Sequence, residues 1–392
     1  MAPLPAQRRE RLVTTAPVPR PIESAGAAGP DARVPSPSGP PRIGMVAASL
    51  DILGGQCVQA VNLATALRGE GMDVTYIPIN PPFPAGLRWL RRLRYARTLF
   101  NETLYLPSLA RLRDVDVVHV YSAAYWSFLL GPAAAITMAR ALRKRVILNY
   151  HSGEAEHHLA RWGALVHPWL RQVDEIVVPS DYLRGIFARH GYRVRVIRNV
   201  IETPRFCYRD RVPLRPRLLS TRNFEPHYRV ENSLRAFAIL RSDHPEATLT
   251  LAGYGSEESR LRQLAARLGT DGIRFAGRVE PSDVPALYES ADIFVNSSVI
   301  DNQPVSILEA FASGLPVVTT GIGDIPAMVD AGDRGLLVPP ARPEAMARAV
   351  ASLLQEPHRA ILMARRARQA IREYAWPCVR EAWAAVYAGG TP

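Results

Sequence analysis

Two carboxylates eight positions apart, Asp301 and Glu309, bracket Asn302-Gln303-Pro304-Val305-Ser306, a polar loop that runs into a short helix and then into the apolar run Leu315-Pro316-Val317-Val318. A loop feeding a helix start offers unpaired backbone N–H groups and the positive end of the helix dipole, which suits an anionic phosphate. Acids on either side can accept hydrogen bonds from sugar hydroxyls flanking that phosphate. A phosphate cradle with hydroxyl acceptors around it is what a sugar nucleotide needs. Asp301 is equally at home as a loop-turn aspartate. Glu309 would also be stabilised as a carboxylate near a helix amino terminus.

Other reactive groups stand at the ends of apolar runs. Gly54 and Gly55 follow the first such run, where the main chain can approach a ligand closely or simply turn; their amides, with the helix starting at Gln56, could meet a diphosphate or border an acceptor pocket. The G-x-G-x-x-G dinucleotide spacing is missing there. His151 ends Leu148-Asn149-Tyr150, a position where catalytic groups of parallel sheets collect, and His119 ends an earlier run. Glu154, Glu156, His157 and His158 follow closely enough to raise metal ligation, but Glu156 and His157 lack the i, i+4 helix-face spacing of a zinc-protease motif. No metal site is expected.

The elements that position these residues alternate. Arg42–Leu50, Val74–Ile79, Val115–Val120, Arg145–Tyr150 and Glu175–Ser180 read as buried parallel strands, with helical patterns between them. A proline-rich break near 199–216 precedes a second series: Arg217–Ser220, Ala247–Ala252, Ile273–Ala276, Ile293–Asn296 and Pro316–Thr319. Strand–helix alternation implies right-handed crossovers and two Rossmann-like α/β halves, with ligands in the cleft at the carboxyl ends of both sheets. The expected domains are residues 42–203, joined by a returning tail at 372–392, and residues 204–371. Residues 1–41 carry ten prolines and read as a disordered leader.

Bulk properties narrow the classes. The chain of 392 residues is 47% hydrophobic, has no run near the length of a membrane span, and has only three cysteines, Cys57, Cys207 and Cys378. That sparse, odd count favours a reducing cytoplasm over a disulfide framework. The formal charge of +12 comes from 48 basic residues of which only Lys144 is lysine. No zinc knuckle, basic zipper or aromatic-studded RNA motif accompanies the charge, so nucleic acid is not the expected partner.

The ordered motifs of the second half carry a family resemblance. They are Leu251-Ala252-Gly253-Tyr254-Gly255, Phe275-Ala276-Gly277-Arg278-Val279, Leu287 through Ser298, Asp301 through Val318, Gly321-Ile322-Gly323-Asp324-Ile325-Pro326 and Gly335-Leu336-Leu337-Val338-Pro339. Together they resemble retaining GT-B-fold glycosyltransferases of the family-4 type, and the likeness extends over roughly residues 42–390. The resemblance implies two facing Rossmann-like domains and a late helix, broken at Trp376-Pro377, that crosses back to the first. It implies a nucleotide-sugar donor, a glycan, lipid-linked or small-molecule acceptor, and no metal or other cofactor. In that family two glutamates bracket the acidic motif; Asp301 is one methylene shorter. By resemblance Glu309 accepts from the nucleotide ribose and Asp301 from the donor sugar. His151 faces sugar and acceptor, while Gly277-Arg278-Val279 and Gly253 border the base. Arg222 would hold the diphosphate. The family places a lysine about five residues after that arginine; none is present, and Arg229 is the expected substitute. A sugar-nucleotide epimerase of the same fold and a catalytically silent scaffold in polysaccharide assembly are the alternatives.

One segment outside these motifs, Leu87–Phe100, sets Leu87, Leu90, Leu93 and Leu99 at helical spacing beside Arg88, Arg91, Arg92, Arg94 and Arg97, with Trp89 at the border. It reads either as an interfacial helix drawn to anionic lipid at the inner face of a membrane or as a surface helix whose stripe is in the core.

Overall fold

Strands β1 (Ile43–Ala47), β2 (Val74–Pro78), β3 (Val117–Tyr121), β4 (Arg145–Asn149), β5 (Glu175–Val178) and β6 (Arg195–Val196) form a parallel sheet in the order β2-β1-β3-β4-β5-β6. Strands β7 (Arg217–Ser220), β8 (Thr248–Ala252), β9 (Ile273–Gly277), β10 (Ile293–Asn296), β11 (Val317–Thr320) and β12 (Leu336–Val338) form a second, in the order β12-β11-β10-β7-β8-β9. This computed structural model describes residues 39–49, 54–84, 86, 87, 89, 93–122 and 124–389. The first 38 residues of the expected leader therefore lie outside the described residues.

The central strands are buried on both faces because helices cover both. In β1, Val46 joins one core cluster, while Ile43, Met45 and Ala47 join the cluster on the opposite face, as the two-residue strand period requires. In the second sheet, Leu218 and Leu219 likewise divide between two cores. Strands β6 and β12, only two and three residues long, went unread in the sequence because such pieces carry no periodicity.

Strand order reverses between β1 and β3 in one sheet and between β7 and β10 in the other. At these switch points successive loops diverge to opposite faces and leave a crevice at the strands' carboxyl ends. The returning helix, Trp376–Ala388, packs Val379, Trp383, Val386 and Tyr387 against Ile43, Val117, Ile147 and Val177 of the first sheet. His119 belongs to this core: it is fully buried, and its Nδ1 meets the Tyr387 hydroxyl at 2.7 Å.

Polar side chains then fix the two halves against each other. Gln303 Oε1 accepts from the Asn199 N–H at 2.9 Å, and Gln303 Nε2 donates to the Pro179 carbonyl at 2.9 Å and to Asp324 at 3.1 Å. Asn199 Nδ2 donates to the Gln303 carbonyl at 3.0 Å, and the Ser180 hydroxyl donates to Asn302 Oδ1 at 2.7 Å. Gln59 closes the hinge side, exchanging two 2.8 Å bonds with the Val200 backbone.

Leu87–Phe100 is not one helix. The chain is extended at Leu93 (φ −97°, ψ 109°), and the helix runs from Arg94 to Ser108. The preceding Pro81-Pro82-Phe83-Pro84 run disfavours helix at Asn80, Pro81 and Phe83, and Arg88, Leu90, Arg91 and Arg92 lie outside the described residues. The apolar side chains are not in the core: Trp89 is 56% exposed, Tyr95 85% and Leu99 71%.

Replacing Gln303 with alanine strands the Asn199 N–H and the Pro179 carbonyl in a buried setting, so the variant should lose about 2–3 kcal/mol of stability. A denaturation midpoint equal to that of the unaltered chain would show that the halves are held by other contacts.

Candidate active site

A cavity of about 540 Å³ occupies the crevice. Its walls come from the segments after β1 (Gly54, Gly55), β4 (His151, Glu154), β7 (Thr221, Arg222), β8 (Gly253), β9 (Arg278, Val279) and β10 (Ile300 to Ser306), with Glu309 behind them. That size suits a small ligand bound by a few placed polar groups.

Two helices begin at this space. Gly54 is extended (φ −164°) and hands over to a helix from Gly55 to Gly69, which holds its entry through a Gly54 N–H bond to Cys57 Sγ at 3.1 Å. Across the gap Pro304 precedes the Val305–Ser313 helix, and a Cβ placed on Gly55 would lie 3.9 Å from Val305 Cγ2. Both helix starts line the same cavity, so two positive dipole ends and their free N–H groups converge where an anion would sit.

Arg222 and Asp301, expected to hold separate parts of one ligand, are bonded to each other. The Arg222 guanidinium donates to Asp301 Oδ2 and, at 3.1 Å, to the Ser306 hydroxyl, while Asp301 Oδ1 accepts its neighbour's Asn302 N–H at 3.0 Å. The guanidinium lies 4.1 Å from the centre of the Tyr228 ring, and the ion-pair side chains are only 10% and 13% exposed. Arg222 Nε, His151 Nε2, Asn199 Oδ1 and Asn302 Nδ2 are buried without a hydrogen-bond partner, and all four residues line the cavity. Buried polar atoms left open around one space are the mark of a binding site.

Glu309 is the fifth residue of its helix, not part of the first turn, so the capping alternative falls. Its Oε2 accepts from the Tyr288 hydroxyl at 2.7 Å, and that hydroxyl also contacts Thr221 Oγ1 at 2.7 Å. Burial pushes the Glu309 carboxyl up to about 7, against the opposing pull of Tyr288, Arg205 and Arg222.

His151 lies over Tyr121, ring centres 5.3 Å apart and 21° from parallel, and burial lowers its imidazole to about 3, which keeps it neutral. The neighbouring acids and histidines do not converge: Glu156 pairs with Arg189, His157 Nδ1 meets the Tyr125 hydroxyl at 2.9 Å, and His158 Nδ1 meets the Tyr150 hydroxyl at 2.8 Å. Asn302 and Gln303 line the cavity, but Asn302 Oδ1 and Gln303 Oε1 are bonded to the first half of the chain, and Gln303 Nε2 is shared between Pro179 and Asp324.

Arg229 is the expected site residue that the cavity does not include. It takes a left-handed conformation (φ 46°) at the start of the Val230–Asp243 helix and turns to Glu231 at 3.2 Å. Among the lining residues that sequence reasoning missed are two basic ones, Arg205 and His227. For His227 the signal was available: it stands five residues after Arg222. Arg205 had none, since its proline-rich break gives no pattern to read.

The description "Glycosyl transferases group 1" matches residues 212–375, and "Glycosyltransferase Family 4" matches residues 53–205. The glycogen synthase of Mycobacterium tuberculosis is 31% identical over 291 residues, covering 69% of this chain and 68% of that protein. This chain is a family-4 glycosyltransferase. Another relative, the alpha-monoglucosyldiacylglycerol synthase of Streptococcus pneumoniae, is 27% identical over 65% of this chain and 61% of its own length. The fold matches the GT-B structure of Anabaena Alr3699/HepE in complex with UDP and glucose, with a TM-score of 0.70 at 17% identity, over 89% of this chain and 99% of that one.

In this glycosyltransferase the folded state holds a proton on Glu309 between its ordinary value of 4.5 and about 7, a window in which the unfolded chain has lost it. Stability should therefore fall as pH rises through that window and level off above it. Glu309→Gln removes that contribution, so melting temperatures from pH 5 to 8 should decline less steeply in the variant. Parallel curves would place the Glu309 proton elsewhere.

Proposed function

We propose that this glycosyltransferase moves a sugar from a nucleotide diphosphate donor to an acceptor hydroxyl with retention of anomeric configuration and without a metal. The observation that carries the reading is the pair of helix starts, at Gly55 and Val305, facing one cavity beside Arg222. Fixed N–H groups and a guanidinium stabilise a departing diphosphate as its charge develops, which is the largest service an enzyme can give such a leaving group. Asp301 and Glu309 supply acceptors for donor-sugar and ribose hydroxyls, with the base near Gly253, Arg278 and Val279. Retention follows if the acceptor hydroxyl attacks from the face the phosphate leaves and gives its proton to a phosphate oxygen. Positioning and charge suffice for that step.

On this reading Arg222 must exchange Asp301 for the diphosphate when donor enters, and the freed carboxylate turns to a sugar hydroxyl. The relatives' names point to glycan and glycerolipid acceptors, and the exposed Trp89, Leu93, Tyr95 and Leu99 favour an acceptor at an anionic membrane surface. We place the protein in the cytoplasm at the inner face of that membrane. Among the described residues no helix is long and apolar enough to cross it.

Uridine, guanosine and adenosine diphosphate sugars should be screened for transfer and slow hydrolysis. At least one should turn over, and Arg222→Ala should lower that rate by roughly two to three powers of ten. Release of an isomerised sugar nucleotide without acceptor would instead identify an epimerase, and no turnover with any donor a silent scaffold. For the membrane contact, Trp89→Glu with Leu99→Glu should weaken co-sedimentation with vesicles containing anionic phospholipid while leaving donor hydrolysis unchanged. Equal sedimentation would remove the segment from the interface.

A further inference from the structure

The cavity lacks the positive charge its proposed ligand demands. Three arginines line it, Arg205, Arg222 and Arg278, and three acids line it too, Glu154, Asp301 and Glu309, the last of them protonated below about 7. Each arginine has an acid beside it: Asp301 for Arg222, Glu202 at 3.5 Å for Arg205, and Glu280 at 3.4 Å for Arg278. A diphosphate brings two or more negative charges into these balanced walls. Helix dipoles offset part of that, but their partial charges are about half a unit each.

Two titratable bases remain among the lining residues, His151 and His227. His151 is stacked on Tyr121 in a setting that strongly disfavours its charged form. His227 differs. It belongs to the turn Pro226–Tyr228, whose position is fixed where the His227 carbonyl accepts the Val299 N–H at 2.9 Å. Its ring leans on Tyr228, centroids 4.1 Å apart, and Tyr228 in turn carries the Arg222 guanidinium. The imidazole is half-buried, and among the described residues its ring nitrogens make no hydrogen bond.

We propose that His227 takes up a proton from solvent when the donor's diphosphate enters, and that the resulting imidazolium joins Arg222 in neutralising the leaving group. The inference rests on the glycosyl-transfer reading of the cavity. No covalent bond to the substrate forms; an imidazole nitrogen gains a proton and donates it in a hydrogen bond to a phosphate oxygen. The charged groups around His227 agree with this. Burial lowers its affinity for a proton in the empty cavity, as does Arg222, while Glu154, Asp301 and Glu225 oppose them and Tyr228 packs against the ring uncharged. The empty site therefore favours the neutral ring at neutral pH. An arriving diphosphate adds the negative charge that reverses the balance. Because binding takes up a proton, donor affinity must fall as pH rises, by up to about tenfold per pH unit where one proton is linked.

The test is calorimetric titration with UDP, ADP and GDP between pH 7 and 8.5, where the diphosphate itself is already ionised. Buffers of different ionisation enthalpy report the protons taken up. The unaltered protein should take up a substantial fraction of one proton per nucleotide bound and weaken steadily with pH. H227Q should bind more weakly and lose that uptake, whereas H227K should bind with little pH dependence. E309Q, run alongside, removes the other lining group that titrates near neutrality and should keep the uptake. Equal uptake in H227Q and the unaltered protein overturns the assignment, and so does loss of uptake in E309Q alone. Absence of binding by any nucleotide at every pH overturns the donor reading and this inference with it.

Discussion

The loop from Asp301 to Pro304 belongs by sequence to the second half of the chain, yet the side chains of Asn302 and Gln303 are bonded to the first. Gln303 and Asn302 reach Pro179, Ser180 and Asn199, in bonds of 2.7–3.0 Å that are all buried. A buried bond of this kind contributes modestly when made and costs much more when one partner is stranded. The arrangement therefore tolerates few alternatives. It fixes the distance between the helix starting at Gly55 and the one starting at Val305, and so the width of the cavity between them.

Charge inside that cavity is organised by exchange. A buried Arg222–Asp301 pair pays a desolvation cost that its mutual attraction roughly offsets, so it adds little net stability. What it provides is readiness. Each partner holds the other's side chain in place at the cavity wall. Arg222 Nε, buried and unpaired, shows that the pair leaves bonding capacity unused. Glu309 is held by a neutral hydroxyl instead, and burial raises its carboxyl to about 7 against the pull of that bond.

The fold was legible because both sheets are parallel and covered on both faces: the central strands carry apolar residues toward both faces, and Gly, Pro and Asn mark the turns. Only β6 and β12, too short for any period, escaped. The site was legible as a set of segments, since the ends of β1, β4, β7 and β10 could be named in advance as cleft-lining. Side-chain direction was not. Asn302 and Gln303 look like ligand groups in a one-dimensional motif, but their partners lie more than a hundred positions away in the chain, at Ser180 and Asn199. Arg229 looked like the second cation because arginine is the obvious replacement for lysine. Its left-handed backbone turns it toward Glu231, and the weaker base His227 lines the cavity instead.

The aspartate at 301 acquires its meaning from the backbone behind it. A Cβ on Gly153 would sit 2.8 Å from the Asp301 carbonyl carbon, and one on Gly323 would sit 2.2 Å from its oxygen. Two neighbouring chains, one from each half, therefore close on the Asp301 main chain as tightly as glycine allows. With the backbone wedged in this way, a change of side-chain length cannot be absorbed by the loop shifting. It must appear at the carboxylate, which moves by about the length of one C–C bond, ~1.5 Å. That is half a hydrogen-bond length, enough to take the oxygen off the Arg222 guanidinium. The short acid and the glycines around it act together. The same packing that brings the two halves into contact leaves only the side chain free to respond to such a change.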